Sequence, residues 1–442
     1  MIQSIQKSSY HIIVYSIGNI LLKLVGIILA PIYTSVFSPF EFGIIGIIET
    51  TSMLITTVLS LNLSSALLRW LSDIDPDPNK QHKEKSIVFT ILLLTIFLIS
   101  VFSIFTFPLL KQISQVLFSS NIQKSLLLLV FINIYIDIIN RITLNLIRAK
   151  EKTTLYLIAM ILKSIVTLAA NIVLLKLTTL GIYSVIIAGI LGNLVFLIST
   201  TPLLIKNIYF NFLKSEVSGI IKFSFPLIFV TLGTILLNMG DRYVLDFYRG
   251  LDEVGIYTFA FKIASIANMV VLQGINLAIL PIALKSFASE EGKIYLSKIM
   301  TFLTLVLCLM FLTISFLPSK IFEFFARNND YMQAQVIIPF LLFAYIFDGL
   351  RTIFSYHMLF VKKTIWIAVI TLSSAALNII LNILFIPKYG IMGAASTTLF
   401  TSFITCFVYN IVAQKMIHVK YQYFKIFLMI GISLIIFLTI GR

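Results

Sequence analysis

Apolar runs of about twenty residues follow one another along the chain and are separated by short polar segments. A helix needs roughly 20 mainly apolar residues to cross the hydrocarbon core of a bilayer, so each run has the length of a spanning helix. A last run, Ile426–Ile440, is barely long enough, and the pattern leaves open whether it crosses the membrane or lies at its interface. The pattern predicts twelve other spans, at residues 12–34, 43–68, 87–110, 125–147, 155–176, 182–205, 223–245, 255–281, 299–319, 334–358, 365–386 and 391–413.

The composition agrees with this pattern. Hydrophobic residues make up 59% of the 442 residues and charged residues 12%, whereas soluble domains carry about 25% charged residues. The polar segments are also too short to fold into a soluble domain. The chain is therefore predicted to be an all-α integral membrane protein.

The distribution of basic residues predicts the orientation of the chain. The formal net charge is +15, which in a soluble protein suggests nucleic-acid binding, but membrane proteins concentrate Lys and Arg in their cytoplasmic loops. With the N-terminus inside, the inner loops hold 19 of the 33 basic residues, and the outer loops with the C-terminal tail hold 8. The asymmetry predicts a cytoplasmic N-terminus and membrane lipids, not nucleic acid, as partners.

No pattern of catalytic or metal-ligating residues is found. Cys308 and Cys406 both lie inside apolar runs, and the four histidines are scattered without ligand spacing. The chain has no phosphate-binding glycine motif, which argues against nucleotide hydrolysis. We therefore expect no enzyme activity, no metal site and no cofactor, and energy input from an ion gradient, H⁺ or Na⁺, or from substrate flow.

A short motif recurs almost half a chain later. The stretch SPFEFG at 38–43 and the stretch GLDEVG at 250–255 both end in an acidic residue, an apolar residue and a glycine before a long apolar run. Gly43 and Gly255 lie 212 positions apart, and each begins a predicted span just after an outer loop. The match suggests an internal duplication.

Further pairs of similar segments or residues are separated by nearly the same number of positions. They are RAKEKTT (148–154) with FVKKT (360–364), Asp137 with Asp348, Asn171 with Asn382, and TLGI (179–182) with KYGI (388–391). Six helices per copy is an even number, so the copies form parallel repeats about an axis along the membrane normal. The predicted organisation is an N-terminal six-helix bundle at 1–210, a C-terminal six-helix bundle at 211–415, and a segment at 416–442 that adds a thirteenth or an interfacial helix.

Charged residues inside spans are the candidate functional residues, because a charge in hydrocarbon is costly unless it is paired or faces water. Lys23 lies near the middle of the first span, where it faces a cleft or has a structural partner. Glu49 and Lys262 lie two turns into equivalent spans. They can pair across the cleft as an outer gate or make local ion pairs within each half.

Two further pairs occupy equivalent helices. Asp137 and Arg141 are four residues apart, and Asp348 and Arg351 are three apart, so each pair shares a helix face. Internal pairing explains them, and a polar stripe along the cleft is the alternative. Lys163 lies about 12 Å from the inner end of its span, within the distance that a lysine side chain can bridge by extending toward the interface. Asp241 and Arg242 lie near the outer end of their span, where anchoring at the interface is expected.

Three stretches resemble the Wzx-type polysaccharide flippases of the multidrug/oligosaccharidyl-lipid/polysaccharide exporter (MOP) superfamily. They are 18–55, which includes GNILLKLVGIILAPIYTSVFSPFEFG, 240–266 (GDRYVLDFYRGLDEVGIYTFAFKIASI) and 377–398 (LNIILNILFIPKYGIMGAASTT). The resemblance implies a V-shaped pair of six-helix bundles in a bacterial plasma (inner) membrane. It implies a flippase for undecaprenyl-diphosphate-linked oligosaccharide, serving O-antigen or capsule synthesis by alternating access, with other polysaccharide assembly proteins as further partners.

The resemblance also implies roles for the charged residues. A cationic cavity would bind the diphosphate through Lys23, Lys262, Arg141 and Arg351, and Glu49, Asp137 and Asp348 would serve ion coupling or gating. The first alternative is a cation-coupled multidrug exporter of the same superfamily. The second is a membrane polysaccharide polymerase or transferase, which usually needs a large outer loop that this chain lacks.

Overall fold

In the computed structural model, the described part of the chain is built from helices and their connections, without strands. The structure describes residues 24–72, 81–118, 124–273, 289–316 and 319–440, with a few single positions besides. The helices of these residues are α1 Leu24–Val36, α2 Pro39–Ser60, α3 Leu63–Ser72, α4 Gln81–Thr106, α5 Leu110–Phe118, α6 Lys124–Ala149, α7 Thr153–Leu177, α8 Ile182–Lys206, α9 Lys214–Met239, α10 Asp241–Arg249, α11 Leu251–Ala267, α12 Glu290–Ser315, α13 Ser319–Phe325, α14 Ala334–Phe360, α15 Ile365–Met416 and α16 Tyr423–Ile440. A π-helix, Asn268–Gln273, continues α11, and a 3₁₀ turn, Asn329–Gln333, precedes α14.

Eleven of the described helices, counted with their short extensions, are long and apolar enough to cross a membrane. One of them, α15, is two helices that meet at Gly390, where the backbone leaves the helical region. The last, α16, has 18 residues and is among the eleven. The predicted all-α membrane architecture is therefore confirmed.

Two spans that were predicted as single continuous helices are each divided into two helices. The predicted helix 43–68 is divided between α2 and α3, because Leu61 and Asn62 adopt left-handed backbone angles, with φ of 43° and 51°. The predicted helix 223–245 is divided at Gly240 into α9 and the short helix α10. The break at Leu61 and Asn62 leaves the apolar pattern uninterrupted, which is why the sequence did not show it, whereas at Gly240 the chain passes into the more polar stretch DRYVLDFYR.

Contacts divide the chain into two compact units. Unit 1 consists of Met1–Val25 and Ile47–Ile235, and unit 2 of Gly26–Gly46 and Leu236–Arg442. Helix α2 contributes its first residues to unit 2 and the remainder to unit 1. The predicted bundles, 1–210 and 211–415, were defined by sequence repeats, whereas these units are defined by contacts between residues. The predicted domain boundaries therefore stay a prediction.

Rare backbone conformations recur at the predicted repeat positions. Glu151 and Lys362, 211 positions apart, both have positive φ, 51° and 59°, in the turns before α7 and α15. Gly181 and Gly390 match even more closely, with φ, ψ of 55°, −127° and 54°, −134°. Non-glycine residues rarely adopt positive φ, so this correspondence supports an internal duplication independently of the sequence matches.

The recurring glycine motif has a structural reason. A Cβ on Gly43 would meet the Leu251 carbonyl oxygen and lie 3.2 Å from the Gly255 nitrogen. A Cβ on Gly255 would meet the Pro39 carbonyl oxygen and lie 3.0 Å from the Gly43 nitrogen. Pro39 and Leu251 are themselves 212 positions apart, so the contact is reciprocal. The two copies of the motif cross backbone against backbone, which small residues permit between helices in a membrane.

The connection before α16 is held against the end of α14 by a buried histidine. His357 is fully buried, with Nδ1 3.1 Å from the Ile417 carbonyl oxygen and Nε2 2.8 Å from the Tyr421 hydroxyl. Burial raises the pKa of Tyr421 above its usual range, so the phenol keeps its proton and donates to Nε2. The other ring nitrogen then donates to the carbonyl. This contact places the last turn of α14 level with the start of α16.

The reciprocal crossing gives a testable expectation for stability. Gly43→Ala and Gly255→Ala should each lower the free energy of unfolding by about 1–3 kcal/mol, because the added methyl group forces two backbones apart. The matched control is Gly431→Ala in α16, where a Cβ meets nothing within 4 Å. It should be neutral or slightly stabilising, because alanine favours helix over glycine. Melting temperatures in detergent measure all three, and equal values for the three variants would contradict the crossing.

Candidate functional site

A charged cluster lies in the middle of α6 in unit 1. The Arg141 Nε donates to Asp137 Oδ2 at 2.8 Å, which confirms the predicted pairing one turn apart. The two side chains nevertheless remain 48% and 29% exposed. A charged pair this open, in the centre of a membrane-spanning helix, is tolerated where it faces water rather than lipid. This face of α6 is therefore open and carries both charges.

Lys163 on α7 belongs to the same cluster. Both Asp137 and Arg141 are close enough to act on its charge, and its ammonium lies 5.9 Å from the centre of the Phe196 ring. The extension of Lys163 to the interface, which the sequence suggested, stays a prediction. The cluster thus brings two basic side chains and one carboxylate near one another.

Asparagine side chains extend the polar face of this cluster. Asn193 on α8 donates to Asn133 Oδ1 at 2.8 Å, and Asn140 donates to the Asn193 carbonyl oxygen at 3.0 Å. Asn133 lies one turn before Asp137 on α6 and therefore shares its face. Hydrogen bonds of this kind hold membrane helices together, and here they place amide groups beside the charges.

Unit 2 carries the equivalent pair on α14. An Arg351 Nη2 lies 3.1 Å from Asp348 Oδ1, again as predicted, but these side chains are less exposed than their unit 1 counterparts. Asp348 also accepts a hydrogen bond from Ser402. Asp348 and Ser402, together with Asn378 and Thr398, line a small cavity of about 20 Å³. That volume holds roughly one water molecule.

A second ion pair in unit 2 is buried. Asp241 and Arg242 are 2% and 1% exposed, so the expectation that they anchor at the interface was wrong. The Tyr257 hydroxyl donates to Asp241 Oδ2, and Arg242 Nε donates to Thr258 at 3.2 Å. Their remaining atoms, Asp241 Oδ1 and Arg242 Nη1, lie 3.9 Å apart and find no hydrogen-bond partner among the described residues. In the sequence, the signal that could have indicated this buried pair was that Asp241 and Arg242 are adjacent.

The other predicted residues are placed separately. Lys262 lies over the rings of Tyr33 and Phe42, with its nitrogen 5.8 Å and 5.1 Å from their centres, all within unit 2. Glu49 belongs to unit 1, and its pairing with Lys262 stays a prediction. Lys23 lies outside the described residues.

The carboxylates do not gather into a metal site. Across the described residues, no group of three or more His, Cys, Asp and Glu side chains is arranged to hold a metal ion. The clusters instead combine carboxylates with guanidinium, ammonium, hydroxyl and amide groups. Such sites suit anions, hydroxylated ligands, protons or a single small cation.

A comparison with protein families identifies this fold. Residues 10–287, more than half of the chain, match the family model described as polysaccharide biosynthesis protein. The chain belongs to that polysaccharide biosynthesis protein family. Residues 226–384 of this family member also match the model named MatE. No curated protein matches the chain.

Solved transporters share the fold of this polysaccharide biosynthesis protein. One is the lipid II flippase MurJ in an inward closed conformation, with 17% identity, a TM-score of 0.76, and coverage of 97% of this chain and 92% of that one. Another is an inward-facing multidrug resistance MATE family transporter of the MOP superfamily, with 13% identity, a TM-score of 0.71, and coverage of 91% and 94%. At these identities the likeness shows the fold alone, and it confirms the predicted MOP-type architecture.

The buried pair in unit 2 yields a prediction for stability. Asp241→Ala and Arg242→Ala should each lower the free energy of unfolding by about 3–5 kcal/mol, because each leaves an uncompensated buried charge. The double variant should lose less than the sum of the two. The control is Arg249→Ala, whose half-exposed pair with Glu253 should contribute about 0–1 kcal/mol. Additive losses in the double variant would show that the two charges are not coupled.

Proposed function

We propose that this family member is a flippase that moves an undecaprenyl-diphosphate-linked oligosaccharide from the cytoplasmic to the outer leaflet of a bacterial plasma membrane. The transport would serve surface polysaccharide synthesis, as O-antigen or capsule, by alternating access. The observation that carries the proposal is the group of Asp137, Arg141 and Lys163 in the middle of a span, in which the Asp137–Arg141 pair stays 29% and 48% exposed and Lys163 adds a second basic side chain nearby. Family membership supports the same conclusion.

The chemistry of the cluster suits a diphosphate. Arg141 offers a planar set of donors, and Lys163 a compact charge, which are the two modes by which proteins bind phosphate oxygens. Asp137 holds one cation and leaves the net charge of the cluster positive. An anion entering such a site is attracted more strongly than in bulk water, because the surrounding dielectric is lower. Lys262 and Lys23 remain proposed contributors from their own helices.

The neighbouring amides suit the sugar portion of the substrate. Asn140 is buried and its Oδ1 has no hydrogen-bond partner among the described residues. Asn133 and Asn193 keep donors and acceptors beside it. Amide groups both donate to and accept from hydroxyls. The partly exposed Asn133 would therefore offer a partner to an oligosaccharide attached to a bound diphosphate, while Asn140 and Asn193 stay buried behind it.

We further propose that transport is coupled to an ion gradient, of H⁺ or Na⁺, through carboxylates. In unit 2, Asp348 lies midway along α14 and Asp241 is buried at the start of α10. The cavity beside Asp348 has room for one water-sized species. Glu49 and Asp137 are the candidates in unit 1. A change of charge on a buried carboxylate alters its pairing with a neighbouring arginine, which is a direct way to bias helix packing.

A multidrug exporter is the second candidate, and the MatE match over 226–384 favours it. Cationic drugs need a cavity with surplus acid, whereas the cluster in unit 1 has surplus base. The two candidates therefore differ in the charge of their ligand.

The unit 1 cluster gives a prediction for transport. Lys163→Ala and Arg141→Ala should each reduce flipping of a lipid-linked oligosaccharide in proteoliposomes by about tenfold or more, because a buried charge contact with phosphate is lost. Lys163→Arg should retain part of the activity. The control is Lys222→Ala, an exposed lysine on α9, which should behave as wild type. Unchanged flipping in both cluster variants would remove them from the binding site.

A deletion strain tests the whole proposal. Loss of the protein should make undecaprenyl-diphosphate-linked oligosaccharide accumulate while surface polysaccharide falls, and complementation should reverse both. Lipid extracts and surface glycan measure the two quantities in one culture. An unchanged lipid pool with altered drug sensitivity would favour the exporter instead.

A further inference from the structure

Two carboxylates of unit 2 are linked by hydroxyl groups. The Tyr257 hydroxyl donates to Asp241 Oδ2 and lies 3.4 Å from the Thr398 hydroxyl. Because a phenol has a single proton and Asp241 accepts it, Thr398 is the donor of the second contact. Thr398 in turn lines the small cavity that also contains Asp348. The series therefore joins α10, α11, α15 and α14 in that order.

The cavity completes the connection to Asp348. Its volume of about 20 Å³ is enough for one water molecule, which needs about two to four polar partners. Asp348, Asn378, Thr398 and Ser402 supply such partners. A water at this place can donate to Thr398 and accept from a protonated Asp348, which closes the remaining gap in the series.

The buried Asp241–Arg242 pair lies directly beside this cavity. The Arg242 guanidinium lies 4.9 Å from the centre of the Phe261 ring, and Phe261 lines the cavity. Tyr345 lines it as well and is close enough to both carboxylates to be affected by their charges. The two carboxylates are thus neighbours of one phenol, although they belong to different helices.

The two ends of the series differ in access. The Asp348 side chain is 15% exposed, whereas the Asp241 side chain is 3% exposed. Asp241 Oδ1 has no hydrogen-bond partner among the described residues. A buried carboxylate without a full set of donors is costly in its charged form, and a bound proton removes the charge. Asp348 is therefore the end at which a proton enters, and Asp241 is the sealed end that retains it.

We propose that the coupling ion of this transporter is a proton and that Tyr257 and Thr398 carry it between Asp348 and Asp241. The inference rests on the proposed flippase function, of which it names the coupling ion and the path. In one transfer, protonated Asp348 gives its proton to the water, and the water gives one to Thr398. Thr398 passes its own proton to Tyr257, and Tyr257 passes its own to Asp241 Oδ2. Each hydroxyl gives one proton and receives one, so the net change is a neutral Asp241 and a charged Asp348.

The transfer changes which arginine has a charged partner. With the proton on Asp348, Arg242 keeps its carboxylate and Arg351 faces a neutral acid. After the transfer, Arg351 regains its carboxylate, and Arg242, which is 1% exposed, is left beside a neutral acid. A buried charge without its partner is costly. Proton transfer therefore biases the packing of α10 against α11 and α15, which are its neighbours in unit 2.

The surroundings favour a proton over a sodium ion. A metal cation needs a shell of oxygen atoms in place of its hydration water. Arg351 already lies 3.1 Å from Asp348 Oδ1, and Asn378 Oδ1 already accepts from Asn382. A sodium ion would therefore meet a guanidinium and compete for oxygens that are in use, whereas a proton needs a single oxygen.

The other groups around the two carboxylates are few and come from each neighbouring helix. The ionisable ones are Arg242 on α10, Tyr257 on α11, Tyr345 and Arg351 on α14, and Cys406 and Tyr409 on α15, while α9 contributes the uncharged Leu237 and Asn238.

Infrared spectra of the purified protein test proton binding without any transport. At near-neutral pH in sodium-free buffer, where exposed aspartates are charged, a band of protonated aspartic acid should be present, identified by isotope-labelled aspartate. Tyr257→Phe should shift this band, because the acid loses its hydroxyl partner. The matched control is Tyr331→Phe, which removes another fully buried phenol hydroxyl, one that donates to the Phe37 carbonyl. It should leave the band in place. The lack of such a band, or the same band in wild type and Tyr257→Phe, would overturn the relay.

Flipping under two different gradients tests the coupling. A gradient of about one pH unit corresponds to a tenfold factor per proton, so it should accelerate flipping of lipid-linked oligosaccharide in proteoliposomes by up to about tenfold. A sodium gradient at matched pH should not accelerate it. The ratio of the rates with and without the pH gradient should fall to about one in Tyr257→Phe and Thr398→Val, and Tyr331→Phe should keep the wild-type ratio.

The outcomes separate the relay from the flippase function. Acceleration by the sodium gradient alone, or an equal ratio in Tyr257→Phe and wild type, would overturn the relay and leave the flippase function standing. A wild-type protein that flips no lipid-linked oligosaccharide under any gradient would count against the flippase function, and the infrared spectra would still decide whether the buried carboxylates take up a proton.

Discussion

A charged side chain in a membrane-spanning helix needs a counter-charge or water, and this requirement organises both units. Asp137 with Arg141 and Asp348 with Arg351 satisfy it by pairing along one helix. The two pairs differ in exposure, and that difference separates their chemistry. The open pair in unit 1 is the one that we propose for the charged ligand, and its less exposed counterpart in unit 2 is the one that we propose for ion coupling.

The charge of Lys163 distinguishes the units further. It lies near the Asp137–Arg141 pair and adds a second basic side chain there. In unit 2 the second basic residue, Arg242, comes with its own carboxylate, Asp241, and both are buried. The proposed phosphate site thus has its extra basic residue in one half, while Arg242 in the other half has a carboxylate partner. Such asymmetry is what a transporter of an anionic substrate driven by cations would need.

Close helix contact provides the framework for these charges. Lipid tails are as apolar as leucine, so helices in a membrane associate through tight packing and hydrogen bonds rather than through exclusion of water. The reciprocal contact of Gly43 and Gly255 is the closest form of such packing. An apolar groove of about 660 Å³ between α14, α15 and α16, lined by seven phenylalanines, is the opposite case, because large aromatic side chains lie where helices are less closely packed.

The sequence by itself determined the membrane class, most spans, the internal duplication and the pairing of charges one turn apart, because these depend on local periodicity and spacing. Tertiary structure alone decided that Lys163 joins the α6 pair, that Asp241 and Arg242 are buried, and that phenylalanines distant in sequence line one groove. These features depend on which helix lies beside which. Within an apolar pattern, lipid and protein neighbours look alike, so helix neighbours are specified only by packing in three dimensions.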